Sequence, residues 1–266
     1  MIARGVSVLR EEGISPLLED GFAHLKWRVG SPDYWRCRLR GTRTVRVGDR
    51  DIELSVNGYR GDYRQLRFFE KNEQEQLADV LSEARTDDTF LDVGANIGIY
   101  SLFLDQVVED VHAVEPHPVN VTHLLMNVDL NGGDVDIYNC ALSDSNDYIG
   151  LEVLTSEPRV DGTAAIGEFG RESDAFTVRA EKGHTLLQKH DISPPNVAKI
   201  DAEGAERSII DGLEDTLERP ECRVLYCETH PEETEPETLA AKLESLGFTV
   251  GFLGSGSGTI KATKDR

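Results

Sequence analysis

No stretch of the sequence approaches 18 consecutive apolar residues, and residues 1–13 hold no apolar core of leader length. The chain therefore reads as a cytoplasmic protein with no integral membrane segment. Cysteine is sparse. Cys37, Cys140, Cys222 and Cys227 form no CxxC pair, so neither a disulfide framework nor a metal-ligand cluster of cysteines is expected, and all four read as buried small hydrophobes. Lysine is scarce too, at 8 against 20 arginines, and the 28 basic residues face 49 acidic ones for a net charge of -21. Nucleic-acid affinity rests on neutralising phosphates, so this balance excludes DNA or RNA as the main partner and points to a small acceptor. At molar salt the Debye length falls to roughly 3 Å, and a dense carboxylate coat then serves hydration rather than self-repulsion, which suggests a halophile.

What is present divides into two textures. Residues 1–71 read as an N-terminal extension of a helix plus short strands, and 72–266 as a larger domain with an insertion at about 144–189. In the extension, Trp35 to Arg40 alternates with period two, which as a strand sets Trp35, Cys37 and Leu39 on one face and Arg36, Arg38 and Arg40 on the other. Thr44 to Val47 and Asp51 to Val56 read as further strands around a Gly48-Asp49 turn. After a helix over Glu73 to Ala84, apolar strands alternate with helices. The strands are 89–93, 110–114, 135–140, 197–200 and 224–227; the helices are 97–105, 119–130, 205–217 and 236–246. This alternation predicts an α/β fold, a doubly wound parallel sheet covered on both faces. Residues 248–253 and 259–263, around a Gly-Ser-Gly-Ser-Gly turn, form a terminal hairpin that makes one strand antiparallel. The insertion reads as irregular, with strands near 149–154 and 176–180.

The chemistry concentrates at Asp92-Val-Gly94-Ala-Asn96-Ile-Gly98. A buried strand delivers an acid at its end, and two glycines let the backbone turn into a helix whose free amides face a ligand. The spacing is not the G-x-G-x-x-G of a pyrophosphate loop, and the Lys-Ser/Thr of a P-loop is missing. Glu115 ends the next strand, where a carboxylate accepts from both hydroxyls of a ribose. A carboxylate beside the turn also suits the ammonium of an adenosyl cofactor with an amino-acid tail.

With Glu115-Pro116-x-Pro118-x-Asn120, Asn127-x-x-x-Asn131, Ala141-Leu142-Ser143-Asp144 and Lys199-Ile-Asp201-Ala-Glu203-Gly-Ala-Glu206, the sequence resembles the FkbM family of class I methyltransferases from about residue 70 to 264. The resemblance implies seven strands in the order 3-2-1-4-5-7-6 with strand 7 antiparallel. It implies S-adenosyl-L-methionine held by Asp92, Gly94, Asn96, Gly98, Glu115 and Asp201, with backbone around Ala141 and Leu142 at the adenine. It also implies O-methylation of a sugar or natural-product hydroxyl.

Methyl transfer from a sulfonium is an in-line displacement, and a sugar hydroxyl needs a base. Asp201 ends the fourth core strand and Glu228 and His230 the fifth, so they share a rim. His230 is the preferred base, with Asp201 and Glu203 as competitors. Asp201, Glu203, Glu228 and His230 are also suitable metal ligands, but their spacing is not metal-specific and no metal is expected. Arg36, Arg38 and Arg40 suggest an anionic glycan or glycolipid acceptor. The rival readings are a nicotinamide-dependent oxidoreductase and a non-catalytic binding module on the same fold.

Overall fold

The computed structural model describes residues 37, 39–56, 69, 73–153, 164–166, 176–231, 234–253 and 258–264. Strand β1 (Thr42–Val47) and strand β2 (Arg50–Ser55) form the first hairpin, as the sequence predicts. Cys37, Leu39 and Arg40 are helical rather than extended. The amide of Gly41 donates to the Cys37 carbonyl (2.8 Å), and Gly41 then turns into the left-handed region at φ 74°. That is the ending of a helix, and Gly supplies it without steric cost. The period-two reading of this stretch is therefore corrected: Cys37 is buried while Leu39 is 86% exposed, so the two do not share a face. Arg36 and Arg38, two of the three arginines that suggested an anionic acceptor, lie outside the described residues.

The main sheet contains β3 (Thr89–Val93), β4 (Asp110–Val114), β5 (Asp136–Tyr138), β10 (Val197–Ile200), β11 (Val224–Glu228), β12 (Thr249–Phe252) and β13 (Thr259–Thr263). Its order is β12-β13-β11-β10-β3-β4-β5, with β13 antiparallel to both its neighbours. Counting only these seven strands along the chain, that is 3-2-1-4-5-7-6 with the seventh reversed. The central strands are apolar almost throughout because both faces are covered: every residue of β3 and of β10 is buried.

One face carries helix α1 (Gln74–Glu83), α2 (Ile99–Asp105), α3 (Pro118–Asn131) and the β1–β2 hairpin. Leu77, Val80, Phe103 and Ile52 share a core there with Phe90 and Tyr226. The other face carries α4 (Gly183–His190), α5 (Glu206–Gly212), α6 (Glu214–Leu217) and α7 (Pro236–Ser245), which bury Leu186, Ile209, Leu217 and Leu239. Pro118 opens α3, and Gly132 closes it at φ 61°. All four cysteines are buried and free.

Within the segment read as irregular, the two strands expected near 149–154 and 176–180 are present and belong to a second sheet. Strands β6 (Ala141–Ser143), β7 (Asp147–Val153), β8 (Ala164–Ile166) and β9 (Phe176–Lys182) pair in the order β6-β9-β7-β8. The sheet takes in Ala141–Ser143, just ahead of the insertion read from sequence, and α4 follows β9 directly.

The helix predicted over 205–217 is divided between α5 and α6. At the division, a β-carbon on Gly212 would lie 1.9 Å from the Ser143 carbonyl oxygen, so only glycine lets α5 pack against β6. Gly212→Ala is expected to cost about 1–3 kcal/mol, seen as a fall of roughly 3–10 °C in Tm by calorimetry. An unchanged melting temperature would show that this packing yields freely.

Candidate active site

The sheet reverses its winding between β10 and β3, where open α/β sheets form a crevice beyond the strand ends. The loop after β3 is held there from several directions. The amides of Gly94 and Ala95 both donate to the Val114 carbonyl (2.9 and 3.1 Å). Gly94 (φ 77°) and Asn96 (φ 53°) are left-handed, and a β-carbon on Gly94 would lie 1.8 Å from the Asp201 carbonyl oxygen. Gly98 caps α2 at φ 90°, packed on Leu124. Asn127 donates to the Ile97 carbonyl and accepts from the Ser55 amide (2.8 Å each), tying the loop to the β1–β2 hairpin through α3. Asn131 likewise bonds the Glu53 backbone on both sides.

Asp92 is fully buried and takes the Ser101 amide (3.1 Å) and hydroxyl (2.6 Å) on Oδ2. It is not among the groups lining the cleft, so it acts on the loop from beneath. Burial pushes its carboxyl up, opposed by the nearby Lys199 ammonium.

The cleft is open to solvent and spans about 640 Å³, its mouth included. Val114, Cys140, Ala141, Leu142 and Ile209 make an apolar slot, and Leu151 of β7 reaches it from the second sheet. Gly94 and Asn96 line it between two acids on the strands that flank β3, Glu115 after β4 and Asp201 after β10. Glu115 accepts from the amides of Asn96 and His117 (2.8 Å each) and from Asn120 Nδ2 (3.2 Å). A carboxylate offers about four lone-pair sites, so capacity remains for a donor in the cleft. Burial pushes Glu115 up to about 7. Asn96 Oδ1 is buried with no hydrogen-bond partner among the described residues, an acceptor waiting for a donor. An apolar slot for a base, a carboxylate beside it and an orphaned acceptor at the turn fit S-adenosylmethionine.

The rim beyond β10 and β11 is densely charged. Lys199, buried inside β10, lies 3.1 Å from Asp201 Oδ2, 3.8 Å from Asp92 Oδ1 and 4.8 Å from the centre of the Tyr100 ring. Burial opposes its charge, but Asp201, Asp92, Glu73 and Glu228 outweigh that and hold it protonated. Burial raises Glu73 to about 7. Burial, then the charge of Asp201, raises Glu228 to about 8. Lys199 stands at the head of the Lys199-Ile-Asp201 motif but was given no role from sequence, and Tyr100 and Glu73 escaped altogether; the available signal was a lysine inside the apolar run Val197–Ile200.

His230 does not present a free base. Its Nδ1 lies 2.9 Å from Glu206 Oε1 and its Nε2 3.3 Å from Glu203 Oε2. Hydrogen bonds to Glu203 and then Glu206 raise it to about 10, so it is an imidazolium at neutral pH with both nitrogens engaged. The preference for His230 as base is corrected on that ground. Glu206 is fully buried and also accepts from the Ala202 and Gly204 amides (3.1 Å each). Its work is therefore to shape the turn and hold the ring. Asp201 and Glu203 both line the cleft.

Residues 92–250 match the methyltransferase FkbM domain. Hexuronic acid methyltransferase AglP of Haloferax volcanii is 30% identical over 148 residues, 56% of this chain and 59% of AglP. The chain thus aligns with less than two thirds of that relative. The 31-O-demethyl-FK506 methyltransferase FkbM of Streptomyces tacrolimicus is 29% identical over 206 residues, 63% of this chain and 75% of the relative. A crystal structure of methyltransferase FkbM from Methylobacillus flagellatus superposes with a TM-score of 0.48 at 16% identity, covering 68% of this chain and 44% of that one. Among the described residues, no helix is long and apolar enough to cross a membrane. With the domain match spanning more than half of its length, the chain belongs to the FkbM family of S-adenosylmethionine-dependent methyltransferases.

Proposed function

We propose that the protein methylates an oxygen atom of a sugar acceptor, with a hexuronic acid as the first acceptor to try. The observation that carries this reading is the pairing across the Gly94 turn of two cleft-lining acids, Glu115 on one side and Asp201 on the other. One suits a ribose, and the other stands where an acceptor hydroxyl must lose its proton. Support for oxygen and for a sugar comes from the relatives, one named as a hexuronic acid methyltransferase and one as an O-demethyl-FK506 methyltransferase.

S-adenosylmethionine, when bound, supplies a methyl group made electrophilic by the sulfonium. The chain's own residues do the rest. Glu115 accepts from the ribose, Ala141 and Leu142 flank the adenine, and Asn96 Oδ1 takes a donor at the turn. Gly94 and Gly98 give the backbone its approach. Asp92 holds the loop through Ser101. Asp201, fixed by Lys199, would accept the proton of an acceptor hydroxyl held in the cleft. Glu203 is the neighbouring carboxylate on the same rim, and the Glu203–His230–Glu206 clamp holds it in place. The second sheet contributes to the wall of the cleft through Leu151.

Calorimetry in molar KCl is expected to show micromolar binding of S-adenosylhomocysteine and none of NADH; the reverse would restore the oxidoreductase reading. Glu115→Gln should weaken that binding roughly 10- to 100-fold, the scale of a hydrogen bond to a charged group. Because the Glu115 carboxyl sits at about 7, wild-type affinity should fall as the pH drops below 7 and the carboxylate is protonated, while the Gln variant stays flat. A wild-type affinity constant from pH 8 to 5.5 would remove Glu115 from the ribose. With a glucuronide as acceptor, Asp201→Asn should lower kcat about 100-fold or more at nearly constant S-adenosylhomocysteine affinity. Undiminished turnover would assign the proton to another group.

A further inference from the structure

We propose that Asp201, Glu203 and His230 bind a divalent metal ion at the acceptor end of the cleft, with Glu206 orienting the imidazole. This departs from the metal-free site expected from sequence, where the spacing of these residues carried no metal signature. The fold supplies what spacing did not. One ligand atom from each of the three residues lies within 4.8 Å of the others. His230 Nε2 and Glu203 Oε2 stand 3.3 Å apart, and two ligands at about 2.1 Å from one ion are separated by roughly 3.0–3.5 Å.

The second observation is Glu206. It is fully buried, turns its carboxyl onto His230 Nδ1 at 2.9 Å, and leaves Oε2 with no hydrogen-bond partner among the described residues. A carboxylate behind a ligating imidazole fixes the tautomer, leaving the other nitrogen's lone pair free for a metal. Here that nitrogen and the Glu203 carboxylate share a proton across 3.3 Å, and a divalent ion binding there takes that proton's place. Carboxylate and imidazole donors together suit manganese, iron or zinc.

Asp201 and Glu203 line the cleft, so an ion held by them meets the acceptor oxygen. The chemical consequence rests on the methyl-transfer reading. The ion lowers the pKa of the acceptor hydroxyl. Its proton passes through Asp201 to water, and the oxygen forms its bond to the methyl carbon as the carbon–sulfur bond breaks. The electron pair stays on sulfur, leaving S-adenosylhomocysteine.

The test is Mn2+ titration of EDTA-stripped protein in molar KCl, which screens surface carboxylates, with free Mn2+ followed by electron paramagnetic resonance. One Mn2+ per chain is expected, with Kd at or below about 100 µM. Glu203→Gln should weaken it at least tenfold, and Glu206→Gln about tenfold, both with a cooperative thermal transition retained. Methyl transfer should fall about 100-fold on stripping and return with Mn2+. Absence of stoichiometric binding, affinity unchanged in folded Glu203→Gln, or full turnover in excess EDTA would each overturn the site. S-adenosylhomocysteine binding, measured on the same stripped protein, reports separately on the methyltransferase reading.

Discussion

Gly94 approaches the carbonyl oxygen of Asp201 so closely that any side chain would collide with it, the built β-carbon falling 1.8 Å away. That contact joins the ends of β3 and β10 and thereby sets the two halves of the winding against each other. The Asp201 amide donates to the Val93 carbonyl just below (3.0 Å), and Gly94 and Ala95 hang from Val114 on the opposite side. Three strand ends are thus locked into one rim. The positions of Glu115, Asn96 and Asp201 relative to one another follow from this backbone arrangement rather than from their side chains.

Beneath the rim, charge is arranged so that no buried ion stands alone. Lys199 inside the sheet is surrounded by Asp92, Asp201, Glu73 and Glu228, and Tyr100 gives it a ring face. Isolated, such a lysine would shed its proton; among these acids it keeps it. The same field works in reverse on Glu228 and Glu73, which burial and neighbouring negative charge bring toward neutral pKa values. Removal of Lys199 would leave several carboxylates facing each other in a poorly solvated space, so its effect on folding should far exceed that of an ordinary surface pair.

Much of this was legible beforehand because it depends on local pattern. Buried strands such as Val197–Ile200 announce themselves by apolar runs, Pro118 and Gly132 mark the ends of a helix, and the turn from Asp92 to Gly98 carries its own conformational signature. What escaped depends on neighbours distant in sequence. The six residues from Trp35 alternate as a strand would, but Cys37, Leu39 and Arg40 are helical and Gly41 closes that turn. His230 looked like a base until Glu203 and Glu206, more than twenty residues earlier, were found on its two nitrogens. The pair Asn127 and Asn131 stood out as a motif, yet its task of stitching the β1–β2 hairpin to the loop needed three elements in place at once.

Strand β6 belongs to two structures simultaneously. Ala141 and Leu142 form part of the apolar slot, while the same residues pair in parallel with Ala180 and Glu181 at the edge of the second sheet, and the Ser143 carbonyl receives Gly212 of α5. A shift of β9 along its own axis would therefore drag the wall against which a nucleobase stacks, so what the second sheet encounters is transmitted to the opposite side of the cleft by rigid translation. Grafting a different second sheet onto this scaffold would have to preserve the β6–β9 register, or alter affinity at a place no graft residue touches.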